Sequence, residues 1–183
     1  MTKKLTLPEI LDAKVVAKSR LFQIESLDLR FSNGVEYTYE RMKPSGRHAV
    51  MIVPVAENND LILIREYAAG TERYELGFPK GLIDLSETAL EAANRELKEE
   101  IGFGANHFIQ LKEIVLAPSY FSSKMTLFLA KDLYSDKLKG DEPEPLELIR
   151  WPVHNTEALL SHLDFREARS IAALLLAFKQ LSG

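Results

Sequence analysis

Residues 81–103 read GLIDLSETALEAANRELKEEIGF, and the spacing of the glutamates in this stretch decides how the chain is read. Side chains three and four apart share a helix face, so Glu96, Glu99 and Glu100 project together. Like charges at that spacing destabilise a bare helix by about 0.2–0.5 kcal/mol per pair. A hard divalent cation reverses the sign, because Mg2+ takes carboxylate oxygens and leaves positions open for substrate phosphates. The rest of the stretch supports a helix over 88–101. Thr88-Ala89-Leu90-Glu91 has the form of a capping box with Thr88 as N-cap. Leu90, Leu97 and Ile101 lie on one flank and are expected to face the core. Ala89, Ala92 and Ala93 lie close to the carboxylate face, where small side chains admit a loop or ligand. Gly102 suits the position after the last turn. Gly81 is expected to begin the preceding loop, with Pro79-Lys80-Gly81 as a tight turn.

Taken alone, Glu-Leu-Lys-Glu-Glu is the solvated face of an acidic helix in most proteins. The full pattern is more specific. It resembles the Nudix box, Gly-x5-Glu-x7-Arg-Glu-U-x-Glu-Glu-x-Gly-U, where U is aliphatic or bulky and apolar. Gly81, Glu87, Arg95, Glu96, Leu97, Glu99, Glu100, Gly102 and Phe103 stand at the fixed positions. The resemblance implies an α/β/α sandwich around a mixed sheet, and hydrolysis of a nucleoside diphosphate linked to a second moiety. It also implies Mg2+, with Mn2+ as the alternative. By motif, Glu96 and Glu100 are the principal metal ligands and Glu99 assists or holds a second metal. Glu87 and the backbone carbonyl of Lys80 complete the ligand set. Arg95 resembles the family arginine that orients a neighbouring glutamate, Glu87, and its spacing also allows i,i+4 pairs with Glu91 or Glu99.

Residues outside the box resemble the ADP-ribose pyrophosphatase branch of that family. Pro118 lies 15 residues past Phe103, as a proline does in that branch. Tyr74-Glu75-Leu76-Gly77-Phe78-Pro79-Lys80-Gly81 is similar to the branch's Glu-Leu-Pro-Ala-Gly entry to the box, with Lys80 in place of alanine and Gly77-Phe78 lengthening it. Ile64-Arg65-Glu66-Tyr67 is similar to its arginine-bearing strand end, where Arg65 could clamp a phosphate. Together with Ala117-Pro118-Ser119-Tyr120-Phe121-Ser122-Ser123-Lys124-Met125 and Gly140-Asp141-Glu142-Pro143-Glu144-Pro145, these stretches resemble a bacterial subgroup acting on ADP compounds. That implies cleavage of ADP-ribose, NADH and diadenosine polyphosphates to AMP and a second phosphate product. Leu82 and Ser119 join Arg65 as substrate-binding candidates. Residues 1–45 resemble the segment through which the branch exchanges strands in a homodimer, with adenine held by an aromatic from one subunit and an arginine from the other. Phe22 and Tyr39 are the stacking candidates, and Arg41 and Arg47 the phosphate or ribose contacts.

The family's general base lies outside the box, usually a glutamate on a late loop. Residues 140–145 are acidic and loop-like, and two prolines forbid a helix and stiffen the segment. Glu142 and Glu144 are both candidates and point to different sides of an extended chain. Glu142 is favoured because Gly140 allows hinge-like closure, and Glu99 is the next candidate.

The rest of the chain fits this frame. Its 183 residues suggest one catalytic domain at 46–183 behind an N-terminal strand region at 1–45 that serves dimerisation and the adenine side. A hydrophobic content of 46% supports a core, and a net charge of −4 gives no electrostatic footprint for nucleic acid. Without cysteine there is no disulfide or thiolate metal site, which fits a cytoplasmic protein. It also argues against the Nudix-fold isomerases of isopentenyl diphosphate, which need a cysteine. No apolar run is long enough to span a membrane. Residues 21–42 read as a β-hairpin turning at Asn33-Gly34. Strands are expected at 49–55, 61–67, 111–116, 125–130 and 148–153. Two C-terminal helices are expected, the first capped by Asn155 or Thr156 and the second by Asp164, with Ile171, Leu174, Leu175 and Phe178 in the core. An ADP-ribose-binding regulator and another nucleoside-diphosphate hydrolase are the rival functions. The intact box and the lack of room for a DNA-binding domain weigh against the regulator.

Overall fold

The computed structural model describes residues 5–181. The chain divides into two compact units: residues up to Gly46 with Val115–Ser123, and Arg47–Ile114 with the chain from Lys124 onward.

The first unit is built on an antiparallel sheet in the order β1 (Glu9–Lys18), β2 (Gln23–Arg30), β3 (Glu36–Met42). The hairpin at 21–42 forms as its sequence suggests. Gly34 sits at φ +84°, and Asn33 Oδ1 accepts from the Val35 amide at 3.1 Å. The sequence reading did not resolve β1 as a strand of its own. All ten of its residues are exposed, so it has no apolar–polar alternation to betray it.

In the second unit, β4 (Ala49–Pro54) lies at the centre of a sheet in the order β7 (Lys80–Leu82), β4, β9 (Lys124–Ser135), β8 (Phe103–Val115). β4 runs parallel to β9 and antiparallel to β7, so the sheet is mixed. Its residues Val50–Val53 are fully buried, as a strand covered on both faces requires. Val50 and Ile52 belong to the core cluster that also contains Ala92, Ala93, Leu97 and Ile101 of the α1 side (α1, Ala89–Glu100). Met51, on the opposite face, meets Ser170 of α3 (Ala168–Leu181). A sheet between α1 and α3 is the α/β/α sandwich. A second sheet orders β10 (Glu147–Pro152), β5 (Asp60–Ala68) and β6 (Arg73–Gly77), all antiparallel. A short helix, α2 (Thr156–Leu160), follows β10.

Several local expectations are corrected. Leu90 is 49% exposed and does not join Leu97 in the core. Ala92 and Ala93 are fully buried against the sheet, so their small size serves close helix–sheet packing rather than ligand approach. Lys80 and Gly81 belong to strand β7, which the sequence suggested was a turn. Asp164 does not cap α3, because its carboxylate accepts from Arg65 Nη1 at 2.8 Å. Glu167 does the capping instead, accepting from the amides of Arg169 and Ser170 at 3.1 and 2.9 Å. Leu175 and Phe178 remain 48% and 44% exposed, so only part of the expected α3 stripe is core.

Candidate active site

Three elements bring the site together. β7 pairs with β4 so that Gly81 lies opposite Val50. α1 packs against the same two strands. The segment 137–146 runs past the C-terminal end of α1, anchored where the Leu138 amide donates to the Lys98 carbonyl at 3.1 Å. α1 starts as its sequence suggests: Thr88 Oγ1 accepts from the Glu91 amide and Glu91 answers to the Thr88 amide, a complete capping box. It ends at Gly102, in the left-handed region at φ +77°.

Arg95 organises the carboxylates. Its Nε and Nη2 donate to the two oxygens of Glu87 at 2.7 and 3.0 Å, a bidentate pair. Its Nη1 donates to Glu96 and Glu99, both at 2.8 Å, and Nη2 also reaches the Leu82 carbonyl at 2.9 Å. The expected pairs with Glu87 and Glu99 both form, while Glu91 is engaged by Thr88. Hydrogen bonds from Arg95 hold the Glu87 carboxyl below its ordinary range.

Glu96 and Glu100 are matched less well. Glu96 is buried, and burial pushes its carboxyl up against the opposing pull of Arg95, with Glu99 and Asp141 adding repulsion. Burial pushes Glu100 up to about 9, although the Lys80 ammonium and amide both oppose it. The Lys80 amide donates to Glu100 Oε2 at 3.0 Å, and the Lys80 ammonium is paired with Glu66. A Cβ at Gly81 would overlap the Glu96 carboxylate, so glycine there leaves room for the carboxylate against β7. Carboxylates withdrawn from water without enough positive charge are costly. This donor set, all oxygen with an excess of negative charge, fits a hard divalent cation. Among the described residues no three metal-binding side chains converge on one point, since Arg95 stands between Glu87, Glu96 and Glu99.

A cavity of about 360 Å3 adjoins the end of α1, lined by Glu99, Glu100, Glu142 and Glu144 with Lys137 and Lys139. The structure thus brings the late acidic loop to the box glutamates. Glu142 is partly buried and Glu144 exposed. Tyr74 Oη donates to Glu144 at 2.6 Å. Glu142, Glu144 and the prolines also border a second cavity of about 200 Å3 that contains Arg65, Tyr67 and Tyr74. Arg65 is engaged by Asp164 at 2.8 Å and Glu147 at 3.1 Å.

The remaining candidates divide between the units. Phe22, Tyr39, Arg41 and Ser119 belong to the first, Leu82 and Arg47 to the second. Arg41 donates to Glu25 from Nε and Nη2 at 3.0 and 2.9 Å. Tyr39, Arg41 and Ser119 line an open cavity of about 600 Å3 with Tyr37 and Tyr120, while Phe22, 57% exposed, is not among its lining residues. Sequence reasoning gave no role to Glu66, which pairs with Lys80 on another strand, to Asp141, whose charge acts on Glu96, or to Tyr74, which bonds Glu144, because none of these contacts is made within one element.

Comparison with known proteins agrees with this geometry. A NudE-type Nudix hydrolase N-terminal domain matches residues 8–41, and a NUDIX domain matches residues 46–174. The chain is 59% identical to the ADP compounds hydrolase NudE of Escherichia coli (strain K12), over 100% of this chain and 98% of that protein. It is 25% identical to an ADP-ribose pyrophosphatase of Bacillus subtilis (strain 168), over 90% and 91% of the two chains. A crystal structure of an ADP compounds hydrolase superposes with a TM-score of 0.96 at 59% identity, covering 100% of this chain and 98% of that one.

Proposed function

The chain belongs to the Nudix hydrolase family, and from that membership we propose that it hydrolyses the pyrophosphate bond of ADP-linked compounds and releases AMP. ADP-ribose, NADH and diadenosine polyphosphates are the substrate class. The observation that carries the reading is the pair of desolvated carboxylates, Glu96 buried and Glu100 half-buried, left short of positive charge, Glu100 beside a cavity that also holds Lys137 and Lys139. The substrate range rests on the relatives named for ADP compounds and ADP-ribose.

Glu96 and Glu100 would hold Mg2+, with Mn2+ as substitute; Glu99, Glu87 and the Lys80 carbonyl are further donors. The cation, when bound, neutralises charge on the diphosphate and lowers the pKa of water. Arg95 keeps Glu87, Glu96 and Glu99 aimed through four hydrogen bonds and is itself held by a fifth to the Leu82 carbonyl. Lys137 and Lys139 attract the diphosphate to the cavity. Glu142 takes the proton of the attacking water as the water's oxygen bonds to phosphorus, and the bridging P–O bond breaks. AMP leaves with the second phosphate product. Glu142 suits this role better than Glu144, whose carboxylate is engaged by Tyr74.

Phe22 and Tyr39 stack adenine in this proposal, with Arg41 and Arg47 on the phosphates or ribose, and Arg65, Leu82 and Ser119 as further contacts. The protein acts as a cytoplasmic homodimer. The N-terminal sheet exposes Ile10, Val15, Val16, Tyr37 and Tyr39, an apolar surface of the kind that a second copy covers. Among the described residues no helix is long and apolar enough to cross a membrane.

AMP release is to be assayed with ADP-ribose, NADH, Ap3A, GDP-mannose and 8-oxo-dGTP, in Mg2+ or Mn2+. Turnover of the three ADP compounds above the other two supports the proposal. Preference for 8-oxo-dGTP moves the protein to nucleotide sanitation, and tight ADP-ribose binding without turnover makes it a sensor. Light scattering showing a monomer at micromolar concentration refutes the dimer.

A further inference from the structure

Glu142 and Glu144 are two residues apart and alike in chemistry, Glu142 between Asp141 and Pro143 and Glu144 between two prolines. The fold distinguishes them. Tyr74 lies on β6, directly opposite Tyr67 of β5 in the antiparallel register. The two rings pack edge to face, 5.6 Å between centroids. β6 is itself tied down: the Leu76 amide donates to the Asp164 carbonyl at 3.2 Å, and Arg166 donates to both oxygens of Glu75. From this fixed strand the Tyr74 phenol donates to Glu144 Oε1 at 2.6 Å, across a separation of 70 residues. A hydroxyl donating to a carboxylate at that length is a charge-assisted bond, about twice as strong as a neutral one.

What the bond holds is a stiff piece of chain. Pro143 and Pro145 flank Glu144, and each proline fixes its own φ near −65°. A constraint on Glu144 is therefore passed to Glu142 instead of being lost in free torsions. On the far side, the Glu142 carboxylate folds back over Gly140, where a Cβ would overlap it. The loop divides the cavity that holds Glu99 and Glu100 from the cavity that holds Tyr67 and Tyr74. Its position sets how far Glu142 stands from the box glutamates.

We propose that Tyr74 and Glu144 form a latch that fixes the 140–146 loop to β6 and thereby positions Glu142 over the cavity at the end of α1. Both are positioning residues, and neither touches the reacting atoms. The latch rests on the assignment of Glu142 as the base. Its strength is that of one hydrogen bond at the surface, since Tyr74 is half exposed and Glu144 exposed.

The test uses the full chain with saturating metal and substrate. Tyr74→Phe and Glu144→Ala each lower kcat about five- to tenfold, the scale of one hydrogen bond weakened by its exposure to water, and leave KM within twofold of wild type. Both speed hydrogen exchange at the amides of 140–142 and 144. The double variant loses no more than either single one, because both break the same bond. Glu144→Gln restores most of kcat, since its amide oxygen still accepts from the phenol. The latch is overturned by unchanged loop exchange in Tyr74→Phe, by independent losses that multiply in the double variant, or by Glu144→Gln as damaging as Glu144→Ala. Faster exchange with wild-type kcat, in a protein that Glu142→Gln inactivates, also overturns it. Failure of the base assignment looks different: Glu142→Gln then keeps wild-type kcat, and the latch is judged on loop exchange alone.

Discussion

Helix α1 and the loop at 140–145 each carry glutamates in close succession, and the fold treats them in opposite ways. On α1 the carboxylates are withdrawn from water: Glu96 is buried, and burial pushes Glu100 up to about 9. They are aimed by the helix backbone, by Arg95 and by the amide of Lys80. On the loop Glu144 is exposed and Glu142 only partly covered. No regular structure aims them, so their position depends on two prolines and the Tyr74 hydroxyl. A group that binds a cation has to be preorganised and stripped of water, at a cost in stability. A group that takes a proton has to stay reachable by water.

The sharpest break of that contrast is Glu100→Gln, which keeps the shape and removes the charge. We expect kcat in saturating Mg2+ to fall at least about a hundredfold, or roughly 2.7 kcal/mol of transition-state stabilisation. The same variant should raise Tm in the presence of EDTA, because the folded, metal-free protein must take up a proton at Glu100 that the unfolded chain does not hold at neutral pH, and an amide needs none. Near-normal kcat would remove Glu100 from the ligand set.

On the loop, Glu142→Gln should lower kcat about a hundredfold, with KM little changed and metal-free stability unaltered. If activity survives, steady-state kinetics of Glu99→Gln becomes the next measurement.

Two glycine substitutions sharpen the comparison, since a Cβ at Gly81 overlaps the Glu96 carboxylate and a Cβ at Gly140 overlaps that of Glu142. Glu96 is buried and held by Arg95, so Gly81→Ala should cost about 1–3 kcal/mol of stability and weaken Mg2+ activation. The Glu142 side chain has space to swing aside, so Gly140→Ala should stay within about 0.5 kcal/mol of wild type in stability while lowering kcat. Equal losses of stability in denaturant titrations would erase the distinction between a packed and a mobile carboxylate.

The smallest effect concerns Glu75, a carboxylate of the opposite kind. Hydrogen bonds from Arg166 and Thr71 hold it down to about 2. A depressed carboxyl stabilises the fold above its unfolded pKa, near 4.3, and loses that contribution as pH falls toward its folded value of about 2. Wild type should therefore exceed Glu75→Gln in Tm at pH 6 and converge with it as the solution is acidified. A gap that stays constant with pH would show that Glu75 acts through packing alone.

How much of this was legible in the sequence depended on whether the determining interactions were local. The capping box from Thr88 to Glu91, the stop at Gly102 and the shared face of Glu96, Glu99 and Glu100 all follow from i,i+3 and i,i+4 geometry within one helix, and all are present. The apolar runs of β4 and β5 announced themselves because a strand covered on both faces needs no polar residue. Lys80-Gly81-Leu82 read as a turn because proline and glycine dominate its local preferences, but pairing with Ala49–Met51 of β4 makes it a strand and brings Gly81 against Glu96. Asp164 looked like a helix cap until Arg65, 99 residues away, claimed its carboxylate. Glu142 was favoured over Glu144 in the sequence only through the neighbouring Gly140, and the bond from Tyr74 to Glu144 separates the two by contact. The sequence by itself determined the family, the helix that carries the box glutamates and its local caps, since those rest on short fixed spacings along the chain. Which carboxylates are buried, which cation answers each and which loop glutamate remains free was decided only by tertiary structure, because those outcomes depend on strand pairing and on partners that chain folding alone brings within hydrogen-bond reach.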